Sequence, residues 1–171
     1  MASLCDFVHI YENNLSPENC ELLISLFESN SIDSIYNLTD NREASPEIST
    51  LHNELVKNVI SIRDEYYEFC FKDVFPEIHA FEKFTINKIS VEDEDSKVWV
   101  DITSYKDARR FLAFTWYLND NKAGQTTFLD LTIQPEKGKL VVHPPFWLFP
   151  HKEEPPVEEP KYILTTYLHY K

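Results

Sequence analysis

The chain has 171 residues, 43% hydrophobic and 14% aromatic, which is enough for one domain with a substantial core. Its 16 Lys and Arg against 29 Asp and Glu leave a net charge of −13, which repels a bare phosphate backbone and argues against direct nucleic-acid binding. Three cysteines (Cys5, Cys20, Cys70) without CxxC spacing indicate neither a disulfide framework nor a zinc knuckle; with no membrane-length apolar run and no secretory leader pattern, a soluble, cytoplasmic protein is expected.

The opening DFVHIYENN reads as a short strand. In LSPENCELLISLFESN, Ser16 is a good N-cap, Pro17 suits the first helical position, and Glu18 complements the helix dipole. Cys20, Leu23, Leu26 and Phe27 then share one face at helical spacing. Ser31 to Ser45 is polar and rich in turn residues, so a loop with little regular structure is expected. A second helix is predicted from about Pro46 to Phe71, with Leu51, Leu55, Val59, Ile62, Tyr66 and Phe69 as its buried stripe. Both helices read as scaffold.

After Pro76 the period changes from helix to strand. FEKFTINKISV alternates apolar and polar residues, EDEDSK is a charged turn, and VWVDI resumes a strand. From Phe111 to Tyr170, apolar and β-branched runs are separated by Asn-Asp, Ala-Gly, Pro-Glu-Lys-Gly and Pro-Pro, the punctuation of short sheet strands. Two helices followed by about eight strands predict an α+β, mainly β fold, with the helices buttressing a folded or barrel-like sheet. The two glycines, Gly124 and Gly138, fall at predicted strand turns, which excludes a P-loop or a GxGxxG dinucleotide loop.

Side chains two apart on a strand share a face, so Trp99 and Asp101 are expected to point the same way. Taken bare, Asp101 and His151 are an ordinary acid and an ordinary histidine fifty residues apart. Their surroundings say more. RRFLAFTWYLND ends in Tyr-Leu-Asn; AGQTTF has the form of a Gly-Gly-x-Thr-x-Phe turn; KGKLVVHPPFW has that of Lys-Gly-x-Leu-x-x-x-Pro. HKEEPPVEEPKYILTTYL combines a histidine, a basic residue, Pro-Pro and a lysine ten positions on, and IYENNLSPENCELLISLFE reads as an entry strand and first helix. Together these features resemble the prolyl 4-hydroxylase-like branch of the 2-oxoglutarate/Fe(II)-dependent dioxygenases, in a compact form similar to those of bacteria and large phages.

The resemblance implies one domain over 1–171. Residues 77–171 would form a double-stranded β-helix (jelly-roll) core, and residues 1–76 a helical support with two helices outside the major sheet. It implies Fe(II) and 2-oxoglutarate as cofactors, and hydroxylation of a C–H bond in a peptidyl or small-molecule substrate as 2-oxoglutarate is decarboxylated to succinate. Asp101 and His151 match metal ligands. Lys161 matches the basic residue that pairs with the far carboxylate of 2-oxoglutarate, and Tyr117 would offer its hydroxyl to the same carboxylate or serve as core. Thr126 and Phe128 fit the turn motif as structural residues.

The pattern also breaks. Where the family has His-x-Asp the chain reads Trp99-Val100-Asp101, and tryptophan offers an N–H but no lone pair to a metal. Phe149 stands where a histidine is frequent, Lys152-Glu153 where a basic-Gly pair is, and Ala123 where the turn has its first glycine. Three consequences are open: an inactive fold that binds or scaffolds a partner, a substitute ligand, or an iron shell completed by water. The candidate substitutes are His143 or a carboxylate from Glu92 to Asp95. Since His143 reads more simply as an ordinary strand residue, the first and third are expected ahead of the second.

Overall fold

A computed structural model describes residues 3–30, 35–70, 73, 75–77, 79–91 and 97–171. The charged turn beginning at Glu92, with its candidate carboxylates Glu92 to Asp95, lies outside the described residues, as does Phe71. A 3₁₀ turn, Leu4–Phe7, leads into β1 (His9–Tyr11). Helix α1 spans Pro17–Asn30, and the Ser16 hydroxyl accepts from the Asn19 N–H at 3.2 Å. Helix α2 spans Pro46–Phe69, with Ser45 accepting from the Ile48 N–H and Pro46 in the first turn, where its missing N–H costs nothing. Between the helices lies β2 (Ile35–Asn37), so the expected loop contains a strand.

The remaining strands are β3 (His79–Phe81), β4 (Thr85–Ile89), β5 (Val98–Trp99), β6 (Arg110–Tyr117), β7 (Thr126–Phe128), β8 (Leu131–Ile133), β9 (Leu140–His143), β10 (His151–Glu153) and β11 (Lys161–Tyr170). They form two antiparallel sheets. One has the order β1-β9-β6-β11-β4-β2, with β3 also paired to β11; the other runs β5-β10-β7-β8. The architecture is mainly β with two helices. Two expected strands are shorter than the apolar runs imply. TTFLDLTI splits into β7 and β8 at Leu129, which takes φ 51°, and β5 ends at Trp99, leaving Asp101 beyond it.

The seven-stranded sheet has two dry faces. Leu112, Phe114 and Trp116 of β6, Leu140 and Val142 of β9, and Leu164 and Leu168 of β11 join Leu23 and Phe27 of α1 and Leu51, Leu55, Val59, Ile62 and Tyr66 of α2 in one apolar cluster. Phe69, expected in that stripe, is 49% exposed, and Ile48 and Tyr67 are buried instead. On the opposite face, Tyr117, Val141 and Ile163 meet Phe128 and Ile133 of the smaller sheet in a second cluster. Period-2 alternation along each strand produces this division.

Gly138 fastens the N-terminal segment to the turn before β9. Its carbonyl accepts from the Leu15 N–H at 3.0 Å, its N–H donates to the Tyr117 carbonyl at 2.8 Å, and its φ is +82°. A Cβ there would lie 2.2 Å from the Leu15 carbonyl oxygen. Gly138→Ala is therefore expected to destabilise the protein by at least about 2 kcal/mol in urea denaturation, combining positive-φ strain with a backbone clash.

Candidate functional site

The face of the large sheet turned away from the helices supplies most of a buried site. β11 contributes Ile163, Thr165 and Tyr167, β6 contributes Thr115 and Tyr117, and β9 contributes Val141 and His143. Thr126 and Phe128 of β7, His151 and Glu153 of β10, and Trp99 and Asp101 complete the lining, and the free space enclosed is about 30 Å³. Trp99 and Asp101 line the same cavity.

Asp101 is buried and held from two sides. Its carbonyl accepts from Arg110 Nη1 at 2.8 Å, and its Oδ1 accepts from the Tyr167 hydroxyl at 2.6 Å. Arg110 is itself fixed by two hydrogen bonds to Glu82, at 2.7 and 2.8 Å, and its guanidinium stacks 3.9 Å from the Tyr167 ring centroid. Asp101 Oδ2 is also buried but has no hydrogen-bond partner. An orphaned carboxylate oxygen of this kind calls for a counter-group, since burying it unpaired is costly.

His143 Nε2 lies 3.8 Å from that oxygen, too far for a hydrogen bond. The other nitrogen, Nδ1, is 3.0 Å from the Pro144 carbonyl; in His151, Nδ1 is 3.2 Å from the Phe149 carbonyl. A carbonyl can only accept, so both imidazoles carry a proton on Nδ1, which leaves Nε2 as the nitrogen available to a metal. Burial holds His143 neutral, pushing its pKa down to about 4 despite the opposing pull of Asp101, with His151 adding to the depression. Ligand atoms of Asp101, His143 and His151 all lie within 4.8 Å of one another. Two imidazoles oriented by backbone carbonyls and one unsatisfied carboxylate oxygen fit a divalent transition metal.

The aromatic residues shape this cluster without ligating. The Phe128 ring lies 4.6 Å from His143 and 4.7 Å from His151, and the Trp99 ring 4.5 Å from His151. Trp99, at 43% exposure, covers the cluster from the solvent side.

Next to the cluster sits a buried lysine. Lys161 is fully buried; its Nζ donates to the Gly124 carbonyl at 2.9 Å and lies 2.9 Å from Glu153 Oε2. Asn119, from Tyr-Leu-Asn, clamps the chain on both sides of Lys161, donating to the Pro160 carbonyl and accepting from the Tyr162 N–H, each at 2.9 Å. Tyr117 directs its hydroxyl to Thr126 Oγ1 at 2.7 Å, and burial, reinforced by the Glu153 charge, raises its pKa. Lys161 Nζ is 5.9 Å from the Tyr117 ring centroid.

The structure thus brings Asp101, His151 and Tyr117 around one cavity, with Lys161 beside it against Glu153, and adds His143. Expected as an ordinary strand residue, His143 lies within ligand distance of Asp101 and His151. The available signal was the strand alternation, which puts His143 on the same face as Val141 and opposite Leu140 and Val142.

Residues 79–169, more than half of the chain, match the family model described as the 2OG-Fe(II) oxygenase superfamily. The chain belongs to that superfamily. Among solved structures, it is similar to a viral collagen prolyl hydroxylase from Paramecium Bursaria Chlorella virus-1 (TM-score 0.76, 16% identity, covering 100% of this chain and 94% of that one). A 2OG complex of the viral hydroxylase superposes with a TM-score of 0.70 at 15% identity, covering 99% of each chain. A prolyl-4-hydroxylase from Pseudomonas putida gives 0.66 at 14% identity, covering 96% of this chain and 93% of that one. These likenesses establish a prolyl hydroxylase-like fold. No curated protein sequence matches the chain significantly. No helix among the described residues is long and apolar enough to cross a membrane.

The neutral His143 has a consequence for metal-free protein. The unfolded chain protonates this side chain near pH 6.5 and the folded one only near pH 4. Its contribution to stability is therefore complete above pH 6.5 and is lost as the pH falls towards 4, by ~3 kcal/mol. Urea denaturation across this range should show a slope that flattens in His143→Gln.

Proposed function

We propose that the protein is an Fe(II)- and 2-oxoglutarate-dependent hydroxylase of the prolyl hydroxylase type whose metal is held by Asp101, His143 and His151. The observation that carries this reading is the buried, unpartnered Asp101 Oδ2 grouped with two imidazoles whose Nδ1 atoms are held by backbone carbonyls. A 2-His-1-carboxylate set with open positions is the donor arrangement of non-haem Fe(II) oxygenases. One imidazole comes from β9 rather than from position 99, so the set is rearranged but complete. An inactive scaffold with an incomplete triad is not favoured.

The site's own residues have distinct tasks. Tyr167 and Arg110 hold the Asp101 carboxylate in place from its Oδ1 and backbone sides. The Pro144 and Phe149 carbonyls orient the two imidazoles. Lys161, with Tyr117 close by, anchors the far carboxylate of the co-substrate through a charge-assisted contact in a dry pocket. Iron bound there would supply the oxidative decarboxylation of 2-oxoglutarate and the hydroxylation of a C–H bond.

The substrate approaches through a second cavity of about 410 Å³, which shares Trp99, Glu153, Ile163, Thr165 and Tyr167 with the inner one. A peptide or a small molecule suits it. A prolyl hydroxylase from Trichoplax adhaerens, solved with a hypoxia inducible factor peptide fragment, has the same fold at 14% identity (TM-score 0.66, covering 95% of this chain and 83% of that one). The chain acts as one domain, residues 77–171 forming the double-stranded β-helix and the two helices bracing its major sheet from outside.

Anaerobic Fe(II) titration tests the ligand set. Wild type should bind, and Asp101→Ala, His143→Ala and His151→Ala should each lose more than about 100-fold, beyond the effect of removing an orienting group. Trp99→Ala should lose less than about tenfold. Binding by His143→Ala equal to wild type would remove β9 from the site, and 2-oxoglutarate-dependent succinate release in air would follow only from the metal-binding forms.

A further inference from the structure

Lys161 is fully buried, yet its charge is already balanced by the chain itself. The Glu153 carboxylate lies 2.9 Å from Lys161 Nζ, and the Gly124 carbonyl takes another of its protons at 2.9 Å. Alternation along β10 explains the placement: His151 and Glu153 line the cavity, while Lys152 pairs with Glu154 at its rim. The free space, about 30 Å³, holds an ion or a water but not a five-carbon dicarboxylate. Two carboxylates crowded onto one buried ammonium would repel one another. Glu153 also has a way out, since its side chain keeps 18% exposure and lines the outer cavity as well as the inner one.

We infer that Glu153 is a specificity-determining residue: a tethered carboxylate that competes with the co-substrate's second carboxylate for Lys161. The inference rests on the reading of Lys161 as the co-substrate anchor. Its consequence is that 2-oxoglutarate seats its far carboxylate only after Glu153 swings towards the outer cavity. Much of what that carboxylate gains from Lys161 is then offset by what Glu153 gives up. The protein therefore takes 2-oxo acids with little regard for a second carboxylate, where an unopposed lysine would discriminate strongly.

The test compares 2-oxoglutarate with 2-oxopentanoate, which has the same five-carbon chain without the second carboxylate. Each is titrated calorimetrically into the protein loaded anaerobically with Mn(II), as wild type and as Glu153→Gln. A charged hydrogen bond left unopposed is worth about tenfold or more in affinity. Wild type should prefer 2-oxoglutarate by less than about tenfold, and Glu153→Gln should widen that preference at least fivefold further. A wild-type preference above about tenfold overturns the proposal, whatever the variant does, and so does an unchanged preference in Glu153→Gln. If Mn(II) binds but neither 2-oxo acid does, the anchor reading and this proposal fail together. If Mn(II) does not bind, the metal reading fails, and glutarate titrated into metal-free protein decides. Binding at least about tenfold tighter to Glu153→Gln than to wild type then supports the competition, and equal binding overturns it.

Discussion

Strand β11 carries two incompatible surfaces on one backbone, and the register that separates them is the constraint on which the site depends. Tyr162, Leu164 and Leu168 enter the apolar cluster shared with the helices, while Ile163, Thr165 and Tyr167 line the cavity and Lys161 meets Glu153 beside it. A slip of one residue would drive the Lys161 ammonium into the helix-facing core and expose leucines to the cavity, so the burial of both faces specifies the pairing strongly. β11 is also placed where that specification reaches furthest. It pairs with β6 on one side and with β4 and β3 on the other, so its register orients Tyr117 opposite Ile163 and Thr115 opposite Thr165. The helices thus contribute to chemistry they never touch.

Charge inside the cavity is handled locally. Lys161 meets Glu153, Arg110 meets Glu82, both histidines are oriented by backbone carbonyls, and Asp101 receives one strong hydrogen bond on Oδ1. Asp101 Oδ2 is the exception. A buried network with every member satisfied is ordinary scaffolding; one missing partner, at the point where two lone pairs converge, marks where a cation belongs. With a net charge of −13, the chain as a whole also favours cation approach.

Local chemistry was legible wherever the determinants are neighbours in sequence. Ser16-Pro17 announced the first helix start, the 3.6-residue stripe identified most of the buried face of α2, and Gly124 and Gly138 marked turns. Phe69 falls in the last turn of α2, where its ring meets the chain's N-terminal segment at Phe7 and His9 and stays half exposed. β2 was hidden because three residues supply no measurable alternation. His143 was passed over for a different reason. Its role depends on the pairing of β9 with β6, which puts it opposite Ala113, and on the smaller sheet folding His151 over it. Neither contact has a signature in the residues around position 143, where VVHPP reads only as a strand running into a turn.

What a metal requires is a set of donor atoms at one point in space, and the strands that carry them are interchangeable if they border the same cavity. Position 99 and position 143 both do. An imidazole on β9 emerges from the floor of the large sheet, between the Phe128 ring and the Asp101 carboxylate, and is 3% exposed. The side chain at 99 comes from an edge strand of two residues and remains 43% exposed. An edge position is the more easily displaced of the two, since only one neighbouring strand holds it, whereas β9 is flanked by β1 and β6. An imidazole drawn from the interior strand would give a metal a more rigid ligand and leave position 99 for a large apolar ring packed on His151. The tryptophan that interrupts the motif is therefore compatible with an intact centre, because shielding is a task its indole can do and ligation is not.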